Sequence, residues 1–123
     1  RSGAPGARAG AAAGRAEAGG VHVTGPVADA HMPALYRLAH ALLFASVKEG
    51  FGLCVLEALA SGVPVIVSAI PPFTEYLGAR DALWCDPTRP AAIADAMALS
   101  LQPTERARLY GRLAAPARET LDA

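Results

Sequence analysis

Cysteine is scarce in this 123-residue chain: Cys54 and Cys85 are the only two, far apart and outside any CxxC spacing. Such a pair reads as two buried, reduced thiols behaving as small hydrophobes, which fits a cytoplasmic setting. Net charge is also lacking, since 11 basic and 11 acidic residues cancel. That balance gives no electrostatic case for a nucleic acid or an anionic membrane surface. No apolar run nears the roughly 18 residues that a membrane span requires. The longest, such as Val63 to Val67, have the length of buried strands. The three histidines, His22, His31 and His40, are evenly spaced and match no metal-ligand motif. No internal repeat is visible, and no signal-peptide core follows the early arginines. The chain opens on Arg1 rather than methionine, so a fragment of a longer protein is expected.

What is present divides into two textures. Residues 1–20 are almost entirely Ala, Gly and Arg, with little large apolar surface to bury. A poorly ordered segment or a frayed alanine-rich helix over about residues 7–18 is expected there. From Val21 onward, apolar runs of strand length alternate with helix-period segments. Strands are expected at Val21–Thr24, Ala41–Ala45, Val63–Val67 and Ala82–Cys85. Helices are expected at Met32–Ala39 (capped by Asp29), Gly52–Ser61, Ala91–Leu101 and Thr104–Leu113, with one turn over Phe73–Leu77. The continuous apolar run Ala41–Ala45 suits a strand covered on both faces. Alternation of this kind predicts βαβ units: an α/β domain with a Rossmann-like parallel sheet and flanking helices. Open parallel sheets place ligands past the carboxyl ends of their strands, and the Ser46–Gly52 loop lies just past one such end.

That loop opens the most informative run, Lys48-Glu49-Gly50-Phe51-Gly52-Leu53-Cys54-Val55-Leu56-Glu57-Ala58-Leu59-Ala60-Ser61-Gly62-Val63-Pro64-Val65. Gly50 and Gly52 leave room for a ligand near the backbone and permit positive φ. A helix beginning there offers unpaired N–H groups and the positive end of its dipole, which suits a phosphate. The run is neither a P-loop nor a GxGxxG fingerprint. On helical geometry, Glu49 and Glu57 lie on the order of 12 Å apart. That exceeds the roughly 5–9.5 Å between the carboxylates of a two-acid glycosidase. It matches the scale from a ribose across a diphosphate to a hexose, and carboxylates accept well from sugar hydroxyls. The plain alternative is a turn leading into a helix, with Glu49 favoured by the dipole and Glu57 solvated.

The spacing and context of this run resemble the E-x7-E signature of retaining GT-B glycosyltransferases of family 4 (group 1). The segments Val23-Thr24-Gly25-Pro26-Val27, Ala41 to Ser46 and Trp84-Cys85-Asp86-Pro87 follow that family's order, so the resemblance covers about residues 21–101. It implies that residues 21–123 are the C-terminal part of the nucleotide-sugar-binding domain. Glu49 would be the catalytic-site residue on the transferred sugar's hydroxyls. Gly50, Phe51, Gly52 and Leu53 would face sugar and diphosphate through their amides, and Glu57 would hold the ribose. Val27 and Asp29 would lie near the nucleobase. The donor would be a nucleoside diphosphate sugar, with no metal or further cofactor. Transfer to an acceptor hydroxyl would retain anomeric configuration. The family's N-terminal acceptor domain and its diphosphate-gripping Arg/Lys pair are missing here, because the surroundings of Arg8 and Arg15 do not reproduce the pair. The chain alone is therefore expected to be inactive. The intact protein is expected in the cytoplasm, at times against the inner membrane face.

Two further readings stay open. A nucleotide-sugar 2-epimerase shares the architecture, and a non-catalytic binding or structural module would need no reaction. Among single residues, Trp84 reads as core more than as a base-stacking platform. Ser68 reads as a turn hydroxyl, Glu75 as a helix cap or a donor-site neighbour, and Arg106, Arg108, Arg112 and Arg118 as a solvated face.

Overall fold

The computed structural model describes residues 19–48 and 50–112. The expected helix or unstructured segment over residues 1–18 lies outside the described residues, and so do Glu49 and Arg118. In chain order the elements are a 3₁₀ turn (Asp29–His31), α1 (Met32–Leu38), β1 (Leu42–Phe44), α2 (Leu53–Ala60), β2 (Val65–Ser68), α3 (Phe73–Tyr76), β3 (Leu83–Cys85), α4 (Pro90–Leu99) and α5 (Pro103–Tyr110). Proline stands in the first turn of α1, α4 and α5, where its missing N–H costs nothing and its φ is already helical.

The sheet is parallel with order β1-β2-β3, pairing Leu42 with Val65 and Ile66 with Leu83. β2 is central and buried along its whole length. Its alternating side chains divide the core into two. Val65 and Val67 pack with Val55, Ala58, Leu59 and Phe73 on one face. Ile66 packs with Leu83, Cys85, Ala96 and Leu109 on the other. Parallel strands need crossovers, and α2 and α3 supply them. The α/β architecture with a Rossmann-like sheet is thus as expected. Trp84 is half-buried against the first cluster, and burial pushes the Cys85 thiol up, with Asp86 adding to the shift.

Several expectations change. Val21–Thr24 forms no strand, and Val21 and Val23 are 55% and 47% exposed. β-branched propensity makes a strand only where a neighbouring edge accepts its hydrogen bonds. Asp29 makes no side-chain cap bond and lies within the 3₁₀ turn instead. β1 is only partly covered on its second face: Leu43 is 40% exposed, although Ala41 and Ala45 on either side of it pack against the second cluster. Glu75 is exposed, and no side chain caps α3.

Ser68 is fully buried, and its hydroxyl donates to the Ser46 carbonyl at 2.5 Å. It braces the carboxyl ends of β1 and β2 rather than facing a ligand. Three of the arginines are tethers, not a solvated face. Arg106 donates to the carbonyls of His40 and Ser100, and its guanidinium lies over the Tyr110 ring. Arg108 donates to the Arg80 carbonyl and pairs with Glu105. Arg112 donates to buried Asp81, whose other oxygen accepts the Gly78 N–H. These bonds fasten α5 to the loops on either side of the sheet. Among the described residues, no helix is long and apolar enough to cross a membrane, and no three His, Cys, Asp or Glu come together as metal ligands.

After β3 the chain turns on Asp86, whose Oδ1 accepts the Thr88 hydroxyl at 2.7 Å and the Thr88 N–H at 2.9 Å. Those two bonds, the hydroxyl first, hold the Asp86 carboxyl below its ordinary value. A carboxyl depressed in the folded state stabilises above its unfolded value, about 3.9, and loses that stabilisation as pH falls through the folded one. In Thr88→Ala, Asp86 is expected to titrate at higher pH by NMR. An unmoved titration would show that the turn does not hold the carboxylate.

Candidate functional site

The site is built around α2, and two left-handed glycines define that helix. Gly52, its N-cap, has φ +74°. A Cβ there would run into the ring edge of Phe73, with the Tyr76 hydroxyl also within 3.2 Å. The absent side chain therefore makes room for the protein's own aromatics. Tyr76 Oη donates to the Phe51 carbonyl at 2.7 Å, and the two rings lie 5.2 Å apart. α3 thus fixes the loop from which α2 starts. Gly50 differs, having no positive φ and open space around its Cα.

At the other end, Gly62 has φ +88° and its N–H donates to the Leu59 carbonyl, while Val63 N–H donates to Ala58. This is a Schellman stop, sealed by apolar Val63 and Ala58 and followed by Pro64. The eight helical residues between the two glycines sort by face. Val55, Leu56, Ala58 and Leu59 are buried, whereas Leu53, Glu57 and Ala60 are exposed.

Glu57 looks into a cleft of about 500 Å³ between α2 and the start of α1. Met32 and Pro33 form one wall, Ala60 and Ser61 close the far end, and Asp29, Tyr36 and Glu57 supply the polar groups. Tyr36 is 7% exposed, and its hydroxyl donates to Glu57 Oε1 at 3.4 Å. Burial, then the Glu57 charge, pushes the Tyr36 hydroxyl above its ordinary value, so it stays a donor at neutral pH. Among the described residues, no lysine or arginine lines the cleft. Two carboxylates without a cation repel phosphate and accept from hydroxyl or N–H groups. The place for an anion is the amino end of α2, since Glu57 lies five residues beyond Gly52, about 7.5 Å along the axis.

The structure thus brings Asp29 and Glu57 to one cleft. Gly50, Phe51 and Leu53 lie at the amino end of α2, all exposed. Val27 is half-buried and does not line the cleft. Glu49 falls outside the described residues. Tyr36 and Tyr76 are additions that sequence reasoning missed. Both sit in apolar, helix-period stretches and read as core; their hydroxyls were the available signal, since a buried phenol needs a partner.

The observed arrangement is a parallel α/β sheet with an acidic cleft beside α2, the helix that follows β1. Comparison with known proteins names the class. Residues 12–115 match the family described as "Glycosyl transferases group 1". The chain belongs to that family. It is 51% identical over 53 residues to the O-antigen chain mannosyltransferase RfbU of Salmonella typhimurium, covering 43% of this chain and 15% of the relative. It is 40% identical over 84 residues to the O-antigen chain mannosyltransferase B of Escherichia coli, covering 68% of this chain and 22% of the relative. It is 38% identical over 89 residues to the GDP-mannose-dependent alpha-(1-6)-phosphatidylinositol dimannoside mannosyltransferase of Mycobacterium tuberculosis, covering 72% and 23%. The chain therefore spans less than a quarter of these curated relatives' length.

Gly52→Ala combines a left-handed residue with a side chain driven into Phe73. It is expected to cost at least about 2 kcal/mol. Thermal melting checks this, and a melt within a degree of the parent would mean that the loop has another low-energy path.

Proposed function

We propose that the intact protein is a retaining hexosyltransferase that draws its sugar from a nucleoside diphosphate sugar and passes it to an acceptor hydroxyl. The observation that carries this reading is Glu57, in an acidic cleft that no cation among the described residues lines, just past one turn beyond the amino end of α2, in a chain of the group 1 family. Along α2 the electrostatics change sign, from the positive helix end to the acid. A nucleoside diphosphate has the matching order, anionic at the phosphates and hydroxyl-rich at the ribose.

In this reading the amides of Gly50, Phe51, Gly52 and Leu53 face the diphosphate and sugar, and Glu57 accepts from the ribose hydroxyls. Asp29 and, more remotely, Val27 lie on the nucleobase side. Glu49 accepts from hydroxyls of the transferred sugar. The acceptor oxygen bonds to the anomeric carbon on the face from which the diphosphate departs, and its proton passes to the medium or to the departing phosphate. The chain's share of catalysis is positioning and stabilisation of the leaving charge, with no metal or organic cofactor. The relatives' names favour transfer over epimerisation, and mannose on GDP is the first donor to test. The acceptor is a glycan, a lipid or a small molecule, bound by parts of the intact protein beyond these residues. The setting is cytoplasmic, with the inner membrane face as one place of work. The 123-residue chain alone is expected to transfer no sugar.

Calorimetric titration of the intact protein with GDP and UDP tests the donor site. Glu57→Ala removes the ribose acceptor and is expected to weaken the bound nucleotide at least tenfold, about 1.4 kcal/mol or more. Undiminished binding in a variant that melts like the parent would refute the assignment.

A further inference from the structure

We propose that Tyr36 is a positioning residue for the nucleotide's ribose. Its hydroxyl sets the plane of the Glu57 carboxylate, and so gives the site its preference for a ribose over a deoxyribose. This rests on the reading that Glu57 accepts from the ribose.

The two side chains differ in freedom. The Tyr36 ring is clamped in the core with Val55, Ala58, Leu59 and Phe73, so its hydroxyl is delivered to the cleft at a fixed point. Glu57 is exposed on a three-bond stem, and its backbone fixes only the direction of approach. Among the described residues, Tyr36 is the only group that bonds its carboxylate, and it takes Oε1 alone. A carboxylate offers about four lone-pair sites, so both oxygens can still accept while one is held.

Orientation matters unequally to different ligands. A vicinal diol gives one hydroxyl to each carboxylate oxygen, which demands that the carboxylate plane face the sugar edge. A single hydroxyl finds one oxygen in almost any rotation. Ordering Glu57 before the ligand arrives therefore favours the diol selectively, by lowering the entropy lost when both bonds form. The 3.4 Å separation is at the long end for such a bond, so its hold on Oε1 is that of one modest hydrogen bond.

The test uses the intact protein with GDP and 2′-deoxy-GDP (UDP and its 2′-deoxy form if UDP is the tighter ligand), measured by calorimetry. Tyr36→Phe keeps the buried ring and removes only the hydroxyl. It is expected to weaken GDP about threefold to tenfold, the range of a single hydrogen bond, and 2′-deoxy-GDP less than twofold. Placed on Glu57→Gln, it is expected to add nothing further. Equal weakening of both nucleotides, no weakening of GDP, or a full additional loss on Glu57→Gln each overturns the role of Tyr36 while leaving the donor site intact. GDP binding that survives Glu57→Gln undiminished overturns the donor reading itself, and the Tyr36 proposal with it.

Discussion

The close approach of Phe73 to Gly52 is the contact on which the rest of this domain depends. A ring occupies the volume that any side chain at position 52 would need, and the backbone there takes a conformation that suits glycine. α2 can begin at that point because of this contact. Tyr76, one turn along the same short helix, then holds the Phe51 carbonyl. The strand-to-helix loop is therefore shaped from the far side by α3, an element that follows it by about twenty residues in the chain. Phe73 also meets Phe44 edge-on, with centroids 5.7 Å apart, so the same ring ties β1 to the loop. Support of this kind fixes the backbone of the loop through packing from behind it.

Polarity along α2 gives the site a direction. Its amino end favours negative charge through the helix dipole, while the Asp29–Glu57 cleft beside its later turn disfavours it. A ligand with one anionic end and one hydroxyl-bearing end enters in one orientation and is repelled in the other. The buried face of the helix, Val55 through Leu59, keeps this axis rigid against β2.

The parallel α/β pattern was legible because β-branched runs, proline at helix starts and the Ser61-Gly62-Val63-Pro64 stop each act locally. Element limits moved by one to three residues for β2, α4 and α5. Val21–Thr24 failed because a strand needs an edge, and propensity says nothing of edges. Leu43 failed because strand composition does not reveal where the opposite layer ends. The pairing of Asp29 with Glu57 was half legible: both were named, for the adjoining nucleobase and ribose of a ligand whose layout came from a family likeness, but no residue pattern put them in one cleft. The reason position 52 is a glycine was not legible, because the ring that fills its side-chain volume, Phe73, comes from about twenty residues further along the chain. Tyr36 and Tyr76 were hidden by their own hydrophobicity, since a helix-period tyrosine in a core stripe looks like packing until the target of its hydroxyl is known. The arginines of α5 were misjudged for a related reason: their acceptors are backbone carbonyls that the sequence does not mark.

The two left-handed glycines that bracket α2 have a further implication for how such a protein changes over generations. Because Gly52 and Gly62 set both ends of the helix by backbone alone, its inward face answers to the sheet while its outward face stays exposed. Leu53, Glu57 and Ala60 can be exchanged for other side chains without disturbing the register of β1 and β2. Substitutions on the outward face are thus open to drift, one residue at a time, while the architecture beneath is inherited unchanged.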